Sequence, residues 1–255
     1  MTATPAGMTY ADYLKLDRLL TAQQPLSDLH DEMLFIVIHQ TKELWMKQML
    51  HELELAIPLV GADSFAEAYK ALSRVSRIQS VMTLSWDVLS TLTPVDYLAF
   101  RHVLGTSSGF QSAQFRELEY RLGLKDSAYL QHYASGTEER RRLDLALAEP
   151  SLRDASHAAL ERAGFDLADR SIAALAAAWL DVYRDSDRWF DLYQLAEKLV
   201  DLDDAMASWR HKHVLTVERI IGSRAGTGGS SGASYLRSTL DKRIFPELWA
   251  LRTDL

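Results

Sequence analysis

Between about Asp187 and Ile221, nine residues recur three or four apart: Leu192, Leu195, Leu199, Leu202, Met206, Trp209, His213, Val217 and Ile220. That is the period of one face of an α-helix, and no period-two alternation competes with it. A seam this long predicts one continuous helix, stopped at Gly222. The rest of the chain reads the same way. A helix over about Met8–Leu20 places Tyr10 and Tyr13 on one face. A second follows Pro25 with Ser27 as cap and ends near Pro58; its Met33–Ile38 run is apolar on every side, the mark of a helix buried all round. Ser64 and Glu67 form a capping-box pattern ahead of Phe65, Tyr69, Leu72, Val75 and Ile78. Thr93-Pro94-Val95-Asp96 opens a further helix, with a cap, a first-turn proline and an early acid. That helix puts Tyr97 and Arg101 on one face. A Gly/Ser loop, 105–109, leads into a helix ending at Gly123, and residues 125–186 read as peripheral helices. The sharpest composition shift is Gly226-Thr-Gly-Gly-Ser-Ser-Gly232, followed by a short helix and Phe245-Pro-Glu-Leu-Trp249. No repeat or linker divides the chain. The expectation is an all-α, single-domain helical bundle over residues 1–255, with long central helices.

The chain has no cysteine, which removes disulfides, thiolate-bound haem, iron–sulfur clusters and cysteine zinc sites together. Its formal charge of −7, without a Lys/Arg cluster, argues against nucleic-acid or anionic-membrane partners. The one basic run, Arg140–Arg142, follows Glu138 and Glu139 and reads as a solvated helix face. No apolar run is long enough to span a bilayer, and the first residues lack a signal-peptide pattern, so a cytoplasmic location is expected.

Familiar motifs fail. The glycine-rich stretch is no phosphate loop, because no Gly-Lys-Ser/Thr follows and no strand precedes it. No Glu-x-x-His pair exists for a di-iron bundle. His211 and His213 lie roughly 200° apart around a helix and cannot chelate one metal. What remains is His39 and His213 on long apolar helices. Each alone reads as a core histidine, Trp209 as packing, Arg101 as a surface ion pair and the Gly/Ser loops as connections. Together they suit a more specific task. A cysteine-free helical protein that binds haem needs a histidine or methionine facing an apolar slot, and His213 meets that need. A small amino-acid substrate needs a cation for its carboxylate, which Arg101 beside Tyr97 can supply.

Six stretches resemble the tryptophan 2,3-dioxygenase family, in order and with compatible spacing. They are Tyr10-Ala-Asp-Tyr13-Leu, His30 through Phe35 and His39 to Trp45, Phe100-Arg101 through Gly105 and Gly109 to Ser112, Trp209-Arg-His-Lys-His213, Gly226–Gly232, and Phe245 to Thr253. The likeness covers residues 8–124 and about 187–255. The resemblance implies a haem b enzyme that opens the indole C2–C3 bond of L-tryptophan, or a close analogue, with O2 to give N-formyl-L-kynurenine. By that likeness His213 is the proximal ligand of the haem iron, with Trp209, Ser108 and Gly109 also against the cofactor. His39 is the distal histidine at the indole N–H, and Phe35 packs on the indole. Arg101 and Tyr97 hold the substrate carboxylate, and Thr227 the ammonium. Tyr10 and Tyr13 are donated to a neighbouring subunit's pocket, which implies a homo-oligomer, typically a tetramer. The chain departs from its relatives at His211-Lys212, where a Phe-Arg pair is usual, and at Ser223-Arg224-Ala225, where an aromatic and two basic residues are common. Other readings fit some of these residues: a haem monooxygenase of the same fold acting on a substituted tryptophan, a haem sensor without turnover, or a helical interaction protein without a cofactor.

Overall fold

The computed structural model describes residues 7–255. Residues 1–6, where the expected absence of a signal peptide partly rests, lie outside the described residues. Among the described residues there is no strand. Three long helices carry the architecture: α3 (Asp31–Gly61), α4 (Phe65–Leu89) and α10 (Phe190–Ile221), preceded by the short α1 (Tyr10–Leu14) and α2 (Leu16–Leu19). A three-residue turn folds α4 back on α3, and α10 packs along α4. The expected seam of α10 faces this core: Leu195, Leu199 and Leu202 are fully buried, and Gly222 ends the helix at φ +61°. Around the trio sit α5 (Pro94–Phe100), α6 (Ala113–Leu122), α7 (Glu138–Ala148), α8 (Leu152–Arg162), α9 (Ile172–Arg184), α11 (Ala233–Arg237) and α12 (Pro246–Ala250).

Thr93 caps α5 through the Asp96 amide, and Gly123 closes α6 at φ +137°, both as the sequence predicts. Four local expectations change. The helix expected over Met8–Leu20 is broken at Lys15, whose backbone is left-handed at φ +53°. The second helix begins at Asp31 rather than behind Ser27. Ser27 and Leu26 instead donate their amides to the Glu32 carboxylate, each at 2.8 Å. That helix also runs through Pro58 to Gly61. A proline inside a helix forfeits one backbone bond, but burying Leu53, Ala56, Ile57 and Val60 outweighs the loss. The Ser64–Glu67 capping box is not made. With Asp63 left-handed, the Ser64 amide turns back to the Leu59 carbonyl at 2.9 Å, and its ψ of 57° takes the side chain off the capping geometry.

Residues 125–186, read as peripheral, contribute the fully buried Leu152, Leu160 and Trp179 to the main core. Arg142 is likewise more than a solvated charge, since it pairs with the buried Glu117 at 2.6 Å. The C-terminus is clipped to α10 by Asp203, wholly buried, which accepts the Ile244 and Phe245 amides and the Trp249 indole N–H at 3.0–3.1 Å. Glu247 joins α12 to α8 through Arg153 and His157, at 2.6 and 2.8 Å. Burial opposes ionisation of Glu247, but the His157 and Arg153 hydrogen bonds outweigh it and hold the carboxyl below its ordinary 4.5. A depressed carboxylate adds stability above its unfolded pKa and loses it as pH falls. Glu247→Gln is therefore expected to cost about 2–4 kcal/mol at pH 7, by leaving the part-buried Arg153 guanidinium without its carboxylate. Its deficit should shrink as pH drops below about 4.5. Melting curves across pH test this, and a deficit independent of pH would refute it.

Candidate active site

The site starts from His213, one turn beyond Trp209 on α10. Trp86 of α4 stacks on the His213 ring with centroids 4.3 Å apart and planes within 12°. Trp209 flanks the ring at 5.1 Å and is itself stacked on Phe115 at 5.0 Å. Burial pushes the His213 pKa down to about 3, the charges of Lys42 and His39 act in the same direction, and no hydrogen bond contributes. The imidazole is therefore neutral at physiological pH and keeps a lone pair free for a metal. Although deep, the residue retains accessible surface.

The opposing wall comes from α3. His39 lies one turn after Phe35, and their rings meet at 4.2 Å. His39 Nδ1 is 2.7 Å from the Phe35 carbonyl. A carbonyl only accepts, so Nδ1 carries the proton and Nε2 is left as an acceptor. Burial lowers the His39 pKa to about 4, so this ring too is neutral. Phe35 continues the wall to Tyr97 at 5.9 Å and Phe100 at 5.8 Å. Lys42, three residues after His39 on α3, lies over the Trp86 ring that stacks on His213, so the helix face carrying His39 packs toward the same indole as His213.

The rim is polar. Arg101, at the C-terminal end of α5, keeps its one-turn relation to Tyr97 through its backbone N–H. Burial raises the Tyr97 pKa despite the neighbouring guanidinium, so the phenol stays protonated. One Arg101 Nη donates to the Ala225 carbonyl, tying the residue to the segment after α10. The two Gly/Ser loops meet here. Thr227 Oγ1 donates to the Ser107 carbonyl at 2.5 Å, which leaves the hydroxyl's lone pairs to accept. Gly228 lies so close to Ser108 that a Cβ would come within 2.5 Å of the serine Cβ. Ser108 Oγ also caps the short turn Gly109–Gln111.

Eight of the expected residues are thus linked by neighbouring contacts: His213, Trp209, His39, Phe35, Tyr97, Arg101, Thr227 and Ser108, with Gly109 beside them. Tyr10 and Tyr13 do not join them. They stand 75% and 74% exposed on α1, an arm that also exposes Met8 and Leu14. Two residues escaped the sequence reading, Trp86 and Lys42. Lys42 is only 6% exposed, burial pushes its pKa down to about 6, and its Nζ lies over the Trp86 ring, 2.8 Å from the centroid. Its position three residues after His39 was the available signal, since that spacing shares a helix face. The departures noted above point away from the site. His211 bonds the Ala207 carbonyl at 2.9 Å, Lys212 pairs with Asp87, and Ala225 acts through its backbone.

The residues fit a haem. Lys42 Nζ, Trp86 Nε1 and Trp209 Nε1 are buried beside His213 without hydrogen-bond partners, polar atoms that a large ligand with its own polar groups could serve. Among the described residues no three His, Asp or Glu side chains converge to cage a bare metal ion. His213 offers a single ligand, which suits a metal that brings its other ligands with it.

Fold and site define an all-helical protein with two neutral, aromatic-flanked imidazoles on facing helices and an arginine nearby. The family model described as tryptophan 2,3-dioxygenase matches residues 1–172 and 166–255. The tryptophan 2,3-dioxygenase of Caulobacter vibrioides is 61% identical, covering 97% of this chain and 98% of its own length. Those of Bacillus thuringiensis and Exiguobacterium sibiricum are 53% and 50% identical, each over 93% of its own length. The chain belongs to the tryptophan 2,3-dioxygenase family.

Proposed function

We propose that this chain is a haem-dependent dioxygenase that cleaves the indole C2–C3 bond of L-tryptophan with O2, giving N-formyl-L-kynurenine. The observation that carries the reading is the deep, neutral His213 stacked on Trp86, the indole that Lys42 of the His39 helix also covers. His213, Trp86 and Trp209 would hold the haem, with Ser108 and Gly109 at its edge. When bound, ferrous haem supplies the activation of dioxygen.

The chain's own residues supply orientation. The Arg101 guanidinium, with a nitrogen beyond the one on Ala225, binds the substrate carboxylate beside the Tyr97 hydroxyl. Thr227, its proton already given to Ser107, accepts from the substrate ammonium. Phe35 packs on the indole, and His39 Nε2 accepts the indole N–H. Fixing the substrate in this way contributes as much as roughly 7–11 kcal/mol of barrier reduction in favourable systems. The apolar walls keep water out, and both atoms of O2 enter the product: tryptophan plus O2 equals formylkynurenine.

The exposed Tyr10 and Tyr13 arm suits insertion into a neighbouring subunit's pocket, and on that basis we assign the enzyme a homo-oligomeric state, a tetramer by the family resemblance. Among the described residues no helix is long and apolar enough to cross a membrane, in keeping with a cytoplasmic enzyme.

The test is to load the protein with haem, reduce it, and add tryptophan with labelled dioxygen. Formylkynurenine carrying two labelled oxygens is expected; one label would indicate a monooxygenase, and no product would sink the assignment. His39→Ala is expected to keep its haem and lose about 1–3 kcal/mol of transition-state binding, roughly 5- to 150-fold in kcat/KM. Complete loss of turnover would mean that His39 moves a proton rather than orienting the indole.

A further inference from the structure

The loop that carries Thr227 has little to hold it. Gly226, Gly228, Gly229 and Gly232 leave it without side-chain packing, and Gly229 and Gly232 sit at φ +82° and +65°. Such a segment loses much conformational entropy when ordered. Its ties are few: the Gly226 amide bonds the Ser230 carbonyl at 3.0 Å, the Gly229 amide the Gly226 carbonyl at 3.3 Å and the Gly232 amide the Ser230 hydroxyl at 3.4 Å, while Thr227 reaches out to Ser107. At its exit stands α11, five residues long, whose aromatic anchor is Tyr235.

Tyr235 is fastened from outside both loops. Its hydroxyl shares a 3.0 Å hydrogen bond with that of Tyr129, in the 3₁₀ turn Ser127–His132. Phe110, at the exit of the first Gly/Ser loop, packs edge-on against Tyr235 at 5.4 Å and lies 6.1 Å from Tyr129. Tyr129 therefore touches the exits of both loops that meet at the rim. Its far side leads to the iron-binding helix. The Arg116 guanidinium lies 3.6 Å from the Tyr129 ring centroid and pairs with buried Glu119. Glu119 accepts from Arg210 at 3.1 Å, and Arg210 stands three residues before His213 on α10. Arg210 also donates to the Lys242 carbonyl at 2.6 Å, and the Lys242 ammonium returns to the Tyr129 hydroxyl at 3.4 Å. The circuit is closed: Tyr129, Arg116, Glu119, Arg210, Lys242 and back to Tyr129.

We propose that Tyr129 is a positioning residue for substrate binding: through Tyr235 and Phe110 it holds the Thr227 and Ser107 loops in register with the helix that carries His213. Tyr129 touches neither substrate nor cofactor, and it acts by keeping Thr227 and Ser107 where the amino-acid end of the substrate binds. The inference rests on the assignment of Thr227 and Arg101 to the substrate made above. It adds a residue from a stretch whose helices otherwise serve the core.

The experiment uses the full-length, haem-loaded enzyme as parent, with Tyr129→Phe, Tyr235→Phe and the double variant. Each substitution removes a hydroxyl and keeps the ring, so the aromatic packing and the Arg116 stack survive. Each single variant is expected to raise KM for tryptophan roughly three- to tenfold, with kcat changed less than twofold and the haem titration unchanged. The double variant should be no worse than the worse single, because both lose the same bond. An unchanged KM in both singles overturns the proposal, and so do effects that multiply in the double variant. A fall in melting temperature with KM unmoved assigns the pair to stability alone and overturns it equally. An active parent with insensitive variants sinks this inference and spares the function, whereas a parent that forms no formylkynurenine sinks both.

Discussion

His213→Ala should leave a folded protein that retains no haem through desalting and forms no formylkynurenine. The physical reason is that His213, kept neutral by the burial that holds its pKa near 3, is the imidazole packed between Trp86 and Trp209. Loss of an outer-shell partner typically costs a metal site 10- to 100-fold in affinity. Loss of the ligand itself should exceed about 100-fold, because among the described residues no other imidazole packs against Trp86 and Trp209. The truncation also opens a hole between two indoles, so some stability is lost with it, about 1–3 kcal/mol. Circular dichroism separates that loss from unfolding, and haem titration followed by the Soret band reads the affinity. Full haem occupancy with an unshifted band would remove His213 from the iron, and the function proposed here would go with it.

Arg101→Ala should keep haem and lose the substrate. A buried or half-buried charge pair broken at one end costs about 2–5 kcal/mol, which is roughly 30- to several-thousandfold in KM. Part of that cost is indirect, since Arg101 also anchors the Ala225 carbonyl and hence the entry to the Thr227 loop. Arg101→Lys separates the two contributions. Lysine restores the charge but not the planar fork that serves a carboxylate and a carbonyl at once. An intermediate KM for the lysine variant is expected. An alanine variant with the parent's KM would show that the carboxylate is held elsewhere.

Much of this molecule could be read before any coordinates. The seam from Leu192 to Ile220, the Thr93 cap and the stops at Gly123 and Gly222 all stand as local pattern predicts, because spacing and backbone freedom act within a turn or two. The site residues were legible through motif likeness, and eight of them then came together from separate stretches of the chain. Local pattern misled where a neighbour in space competed for the same atoms. The Ser64 amide closes α3 instead of serving a capping box, Ser27 and Leu26 clasp Glu32, and the core carries α3 through Pro58. Trp86 went unnoticed because nothing near it in sequence resembles a ligand site, and Lys42, three residues after His39, because local spacing does not show that it is buried over Trp86.

Helix period and terminator residues, which act within a few positions of one another, were determined by the sequence alone, and with them the all-helical class and the candidate imidazoles. Which indole stacks on His213, which carbonyl Arg101 holds and how Tyr129 reaches the Thr227 loop were decided only by the tertiary structure. Those contacts join residues separated by about a hundred positions or more, and their strength comes from a water-poor interior that exists only once the long helices have packed.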